Sequence, residues 1–448
     1  MIQPVSAADS ARKPAQWRIV VMGAMPATVA TTLIIQVVTV GSGIILARSL
    51  GPSDRGVVAA AMLWPTLLAS IGGLGIAEGV TFFSGRESNG QSTVLTSGLA
   101  LGAVQTIVLL LLGVLVLPLL LGGKAAVLSA AVFYLLIIPL YPLTLYPLSL
   151  LQGRMNLGAF NVARLSVHVA YTAFLVALWT QKAVTVRSAL AASLVATAIT
   201  AILSFWLIGH RRYWVWRVAA GEIRALIAFG AKLHLGNVAT IIASKLDIVV
   251  LSIFASAQAL GIYVVATAVG TVVGLVPAAI AMVLYPRFVR LSTADRQVTL
   301  SRLFLIGIAV TLSAGPLMVI ALPHLIPFIF GGAFGSAVPV AGVLVVGYLI
   351  RGYNGMLVAM LRGAGRPLRA STGEMIGLIL FAVCLPVLTR RFGSVGTATS
   401  LTIAAAATLV WMIFQAISAT GLSVARIWSV WRGDVTWLAL SSRGSPKV

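Results

Sequence analysis

Acidic and sulfur-bearing side chains are scarce in this chain of 448 residues, and the scarcity excludes several classes of protein. Aspartate and glutamate together number 9, and charged residues make up 9% of the sequence, against about 25% in soluble domains. The single cysteine, Cys384, excludes an intrachain disulfide, and the 4 histidines have no metal-ligand spacing. The phosphate-binding pattern GxxxxGK[ST] is missing, which excludes ATP hydrolysis by that route.

Apolar residues are abundant instead, at 60% of the chain with a mean hydropathy of +1.05. A membrane span needs about 20 apolar residues, and the sequence predicts an all-α polytopic protein with twelve spans. The first of them is too long for a removable signal peptide. The spans cover approximately residues 19–47, 56–84, 93–121, 125–152, 158–180, 183–208, 225–253, 260–286, 298–322, 338–361, 368–389 and 395–420.

The net charge of +22 is distributed as a topology signal. With both termini on the cytoplasmic side, 20 of the 31 lysines and arginines fall inside, 7 outside and 4 within spans. This positive-inside bias predicts cytoplasmic termini. No soluble basic domain is left over, so we expect no nucleic-acid partner.

An internal repeat divides the spans into two sets of six. Gly56 in LGPSDRG matches Gly261 in ALGIY, 205 positions later, and LQGR at 151–154 matches LRGA at 361–364, 210 positions later. Two six-helix copies share one orientation and enclose a central cavity. The predicted parts are a tail at 1–18, an N-lobe at 19–208, a basic linker at 209–224, a C-lobe at 225–420 and a tail at 421–448.

Polar residues recur at helical spacing inside several spans. A charge at bilayer depth costs at least about 2.5 kcal/mol and normally faces protein or water. Arginine suits phosphate because its planar fork donates two parallel hydrogen bonds. Alternatively, such side chains hold packed helices together, and Lys245 can reach the interface if it lies near a helix end. The candidate substrate-binding residues are Asn161, Arg164 and His168 in the fifth span, Lys245 in the seventh, and Tyr348, Arg351 and Asn354 in the tenth.

Three acids also lie within spans, namely Glu78, Asp247 and Glu374. They can pair with intramembrane cations, or they can couple transport to Na⁺ or H⁺. Both alternatives stay open. No other cofactor and no metal site is expected.

Several motifs resemble those of the Wzx-like polysaccharide flippases of the multidrug/oligosaccharidyl-lipid/polysaccharide (MOP) exporter superfamily. The stretch LARSLGPSDRG at 46–56 is similar to the motif that follows their first span. Further similar stretches are LGIY at 260–263, LYP at 284–286, LRGAGRP at 361–367 and FGSVGTA at 392–398, with Asp247 before them. The resemblance covers nearly the whole chain, and within its first motif Arg48 and Arg55 are expected at the rim of the cavity.

The resemblance implies a MATE-like (MOP) fold of two pseudo-symmetric six-helix bundles in the bacterial inner membrane. It implies transfer of an undecaprenyl-diphosphate-linked oligosaccharide from the cytoplasmic to the outer leaflet by alternating access, without enzyme activity. We expect a monomer in contact with membrane lipids, with a polysaccharide polymerase or glycosyltransferases as further partners. The alternative is an ion-coupled drug or metabolite antiporter of the same superfamily.

Overall fold

A computed structural model describes residues 13–86, 91–209, 217–290 and 293–420, and these are almost entirely helical. A 3₁₀ turn, Gly332–Phe334, separates α10 from α11. The α-helices are α1 (Lys13–Gly72), α2 (Ile76–Arg86), α3 (Gln91–Leu121), α4 (Ala125–Tyr134), α5 (Ile137–Gly153), α6 (Leu157–Thr180), α7 (Val186–Ile208), α8 (Ala220–Phe254), α9 (Ala257–Arg290), α10 (Thr293–Phe330), α11 (Ala337–Gly363) and α12 (Pro367–Thr420).

The predicted spans fall on helices, but the second span, 56–84, and the fourth, 125–152, are each divided between two helices, and two helices carry more than one span. By length and hydropathy, 8 helices in the described part of the chain can cross a membrane, or 9 if the bent pair α4–α5 is one crossing. The helices α1 and α12 are each long enough for two crossings. Both change direction at a glycine with positive φ, Gly51 (φ 71°) and Gly393 (φ 59°). These glycines lie in the predicted outer loops, where a chain reversal was expected.

The fourth predicted span is not straight. Its two segments, α4 and α5, meet at an angle of 43°. Pro139 occupies the first turn of α5, where its missing N–H is tolerated, while its ring would clash with the carbonyl of Leu135 in a continuous helix. The bend therefore lies between Tyr134 and Ile137.

The chain forms two compact units, Met1–Gly261 and Ile262–Val448. In the first, a buried cluster joins α2, α3, α5, α7 and α8, through residues such as Ile76, Leu150 and Leu226. In the second, the cluster joins α10, α11 and α12 around Leu357 and Met412. The predicted lobe boundary at 209–224 stays a prediction, since residues 210–216 lie outside the described residues, as do most of both predicted tails.

Within the first unit, the start of α9 packs directly on α1. A Cβ atom on Gly56 would overlap the carbonyl of Ala257, and one on Gly261 would overlap the carbonyl of Pro52. The backbones can approach this closely only because both residues are glycines. Gly56 and Gly261 are the pair that the internal repeat matches.

Candidate functional site

The polar face predicted for the fifth span packs against the first span in the structure. Asn161 on α6 donates its amide to the hydroxyl of Thr28 on α1 (3.0 Å). His168 Nδ1 lies 3.3 Å from the Thr39 hydroxyl. These two predicted binding residues therefore also join α6 to α1, as polar side chains do between packed membrane helices.

Arg164 lies on α6 between those two residues, and its surroundings are different. Its guanidinium carbon is 5.4 Å from the centre of the Phe160 ring, and the side chain is half-buried. Within the described residues it forms no ion pair and no hydrogen bond. A guanidinium over a ring face forms no conventional hydrogen bond with that ring, so its N–H groups stay available to donate to a bound anion.

The tenth predicted span, on α11, repeats this division of roles in the second unit. Asn354 is buried and donates its amide to the carbonyl of Ala405 on α12 (2.9 Å). Arg351 is exposed, with its guanidinium carbon 5.9 Å from the centre of the Tyr348 ring, and it too has no ion pair among the described residues. Tyr348 packs on Gly270 of α9. One arginine with an aromatic neighbour is thus available in each unit.

The two arginines of the first motif occupy different environments. Arg48 is exposed on α1. Arg55 turns into the first unit, where its Nε is buried without a hydrogen-bond partner and lies close enough to Tyr171 to interact electrostatically. The expected position at a cavity rim therefore fits the exposure of Arg48 better than the burial of Arg55.

The three intramembrane acids do not neutralise the intramembrane cations. Glu78 accepts a hydrogen bond from Asn237 on α8 (2.8 Å), and Asp247 accepts one from the backbone N–H of Ile248 (2.8 Å). Glu374 forms an ion pair with Arg362 (3.1 Å) that is about half exposed.

The four intramembrane cations, in turn, form no ion pair within the described part of the chain. Arg164 is half-buried, while Lys232, Lys245 and Arg351 are exposed. Among the described residues, therefore, none of these four cations is paired with a carboxylate.

Lys124 has a structural role that the sequence did not indicate. Its ammonium donates to three carbonyl oxygens at the end of α8, those of Ser252 (2.6 Å), Ile253 (3.0 Å) and Ala255 (2.5 Å). Burial lowers its pKa, because desolvation disfavours the charged ammonium. Trp64 Nε1 donates to the Ser252 hydroxyl beside it (3.1 Å). The last carbonyls of a helix attract cations, but the partners are about 130 positions apart, so no sequence pattern connects them.

The break between α1 and α2 was also missed. Residues 73–75 leave the helical conformation, with positive φ at Leu74 (50°) and Gly75 (71°). The run GGLG at 72–75 was the available signal, since glycine is the residue that best tolerates positive φ.

Comparison with solved structures identifies the fold. An inward-facing multidrug resistance MATE transporter of the MOP superfamily matches with a TM-score of 0.63 and 14% identity, over 89% of this chain and 96% of that one. The lipid II flippase MurJ, in an inward closed conformation, matches with a TM-score of 0.66 and 12% identity, over 90% of this chain and 89% of that one. A MOP superfamily transporter from Pyrococcus furiosus matches with a TM-score of 0.54 and 15% identity, over 90% of this chain and 96% of that one.

These matches show that the chain has the MOP fold, as the motifs predicted, and its long apolar helices make it a multi-pass membrane protein. The sequence also matches the family described as polysaccharide biosynthesis protein over residues 25–292, more than half of the chain. The chain belongs to that family. A comparison with curated protein sequences finds no match. The matched structures are those of transporters and a flippase rather than enzymes.

Proposed function

We propose that this transporter flips a polyprenyl-diphosphate-linked oligosaccharide, the repeat unit of a surface polysaccharide, from the cytoplasmic to the outer leaflet of the bacterial inner membrane. The observation that carries the proposal is the pair Arg164 and Arg351. Each lies on a membrane-spanning helix of a polysaccharide biosynthesis protein, and neither has a carboxylate partner among the described residues.

A phosphate group of the lipid-linked sugar would satisfy either arginine chemically. A guanidinium binds phosphate oxygens through two parallel charge-assisted hydrogen bonds. Phe160 and Tyr348 contact the guanidinium groups through their rings, so they compete for none of those donors. Arg48, Arg55, Lys245 and His168 remain candidates for further contacts with the diphosphate or with acidic sugars.

The expected setting follows from the charge distribution and the motifs. Both termini lie in the cytoplasm, and the chain acts as a monomer among membrane lipids, next to glycosyltransferases and a polysaccharide polymerase. Asp247, Glu374 and Glu78 are the candidates for coupling to an ion gradient, with Na⁺ or H⁺ as the ion.

The second candidate is an ion-coupled drug or metabolite antiporter, which the similarity to the MATE transporter favours. Organic cations require an acidic cavity, and the arginines on α6 and α11 oppose them. Efflux of a cationic dye from cells that express the chain tests this alternative, and we expect no efflux.

The central experiment measures lipid-linked sugar in a strain that lacks this chain. We expect the precursor to accumulate in the cytoplasmic leaflet, and the wild-type gene to restore export. The double variant Arg164→Gln plus Arg351→Gln should reduce export at least about 100-fold, because each lost charge-assisted hydrogen bond is worth about 1.5–3 kcal/mol.

Lys232→Gln is the control, because it removes one exposed cation from a predicted span and leaves both arginines in place. It should export normally. Full export by the double variant would contradict the site assignment, and the absence of any accumulation in the deletion strain would contradict the proposed function.

A further inference from the structure

The break between α1 and α2 lies beside a small cavity in the first unit. The cavity has room for about one water molecule, and its lining includes Ala69, Gly73, Gln105, Thr106, Tyr141 and Tyr146. The last turn of α1 reaches it through Ala69. The carboxyl end of a helix carries partial negative charge, and interrupted membrane helices form ion sites at such ends in transporters.

The polar atoms around the cavity offer oxygen ligands. Tyr141 shares a hydrogen bond with the Ser70 hydroxyl (3.1 Å), and the Tyr146 hydroxyl donates a hydrogen bond to the amide oxygen of Gln105 (2.9 Å). The amide nitrogen of Gln105, Nε2, is buried and has no hydrogen-bond partner. A hydroxyl can donate or accept, so the amide can equally be turned, with its nitrogen toward Tyr146 and its oxygen unpaired.

The charge of the surroundings favours a cation of low charge. No basic residue lines the cavity, and the carboxylate of Glu78 lies close enough to Tyr141 and Tyr146 to interact electrostatically. The part of the chain that the structure describes has no group of three or more His, Cys, Asp or Glu side chains fit to hold a metal ion. Neutral oxygens near a single carboxylate suit a monovalent ion better than a divalent one.

We infer that this cavity, with Gln105, Tyr141, Tyr146 and Thr106 as its polar lining, binds a small monovalent cation of the size of Na⁺. The inference deepens the proposed function by naming a coupling-ion site distinct from Asp247 and Glu374. Glu78 connects the site to α8, since it accepts the hydrogen bond from Asn237. Next to it, Gly75 and Gly230 bring α8 into backbone contact with the break. A bound cation would therefore change the electrostatic free energy of the contact between α2 and α8.

Binding of radioactive Na⁺ to the purified full-length protein in detergent tests the inference, with choline chloride keeping the ionic strength constant. We expect saturable binding by the wild type. Tyr141→Phe removes one oxygen, and Gln105→Leu removes the amide. Each should raise the dissociation constant for Na⁺ at least about tenfold, which corresponds to about 1.4 kcal/mol.

Tyr134→Phe is the matched control, because Tyr134 is also a buried tyrosine bonded to a serine, Ser193 (2.9 Å), but it does not line the cavity. It should bind Na⁺ as the wild type does. Thermal unfolding in choline chloride checks that each variant is folded. If Gln105→Leu does not fold, Tyr141→Phe, which loses only a hydroxyl, carries the test.

Three results would overturn the inference. The first is the absence of saturable Na⁺ binding by the wild type, which would mean that the cavity holds water. The second is wild-type affinity in both cavity variants, and the third is binding that Asp247→Asn abolishes while Tyr141→Phe leaves it unchanged; each of these two would mean that the ion binds elsewhere. Because the measurement needs no lipid-linked sugar, a chain that binds Na⁺ but exports nothing would contradict the proposed function alone.

Discussion

Single residues on the same polar helix face have different roles in this protein. Asn161 and Asn354 are 7% exposed, and each donates its amide to a neighbouring helix. Arg164 and Arg351, three positions away, form no hydrogen bond or ion pair among the described residues, and each lies over an aromatic ring. Helical periodicity placed both kinds of residue on one face, but it cannot distinguish a side chain that joins two helices from one that is free to bind a ligand.

This division predicts that Asn161→Leu affects stability more than transport. A hydrogen bond between membrane helices is worth about 0.6 kcal/mol on average, so the loss of the bond to Thr28 should lower the free energy of unfolding by less than about 1 kcal/mol. Export should stay within twofold of the wild type. Unfolding in detergent and the export assay measure the two effects. A loss of export as large as that of the arginine double variant would instead show that Asn161 contacts the substrate.

At the scale of helices, the close approach of α1 and α9 depends on two glycines. Gly56 and Gly261 bring the backbones together with no space for a Cβ atom between them. Gly41, also on α1, has open space around its Cα, since a Cβ there would meet nothing within 4 Å. The two positions therefore form a matched pair for testing the contact.

We predict that Gly56→Ala destabilises the fold while Gly41→Ala does not. Overpacking of a tight contact costs about 1–3 kcal/mol, and here the new methyl group meets a backbone carbonyl, which cannot move like the end of a flexible side chain. The thermal unfolding midpoint in detergent should fall by several degrees for Gly56→Ala. Equal midpoints for the two variants would mean that α1 and α9 are not in contact.

Hydropathy predicted the helices well, because each span must satisfy its own backbone hydrogen bonds in lipid. It could not predict that α1 continues past Gly51, since a bent helix and a helix–loop–helix bury similar apolar lengths. The bend between Tyr134 and Ile137 and the break at 73–75 depend on local backbone conformation. The cap that Lys124 provides depends on a contact between distant parts of the chain. The family motifs predicted the fold for a different reason: they resemble those of proteins that share one complete fold, whereas hydropathy reports only local segments.

For the molecule as a whole, the strongest feature of the sequence is the asymmetry of its positive charges. It predicts that residues such as Arg86, at the end of α2, face the cytoplasm, while Lys182, between α6 and α7, faces outward. Because Cys384 is the single cysteine, a cysteine-free background requires only Cys384→Ser.

Cysteines introduced at these positions should report the topology. In intact cells, a membrane-impermeant maleimide should label Lys182→Cys and leave Arg86→Cys unlabelled until the cells are permeabilised. Both side chains are exposed in the structure, so accessibility to the reagent depends on the side of the membrane. The reverse labelling pattern would invert the proposed orientation and the proposed direction of transport.

The cap on α8 has a consequence for the chemistry of Lys124. A lysine ammonium has three N–H donors, and here each of three carbonyl oxygens lies within reach of it. An amine attacks an acylating reagent through an exposed lone pair. Although burial lowers the pKa of Lys124, its nitrogen is not accessible to the reagent while the carbonyl oxygens of the helix end surround it. Lys124 should therefore be acylated more slowly than the exposed Lys182. Its acylation rate would measure how often the end of α8 separates from the Lys124 ammonium.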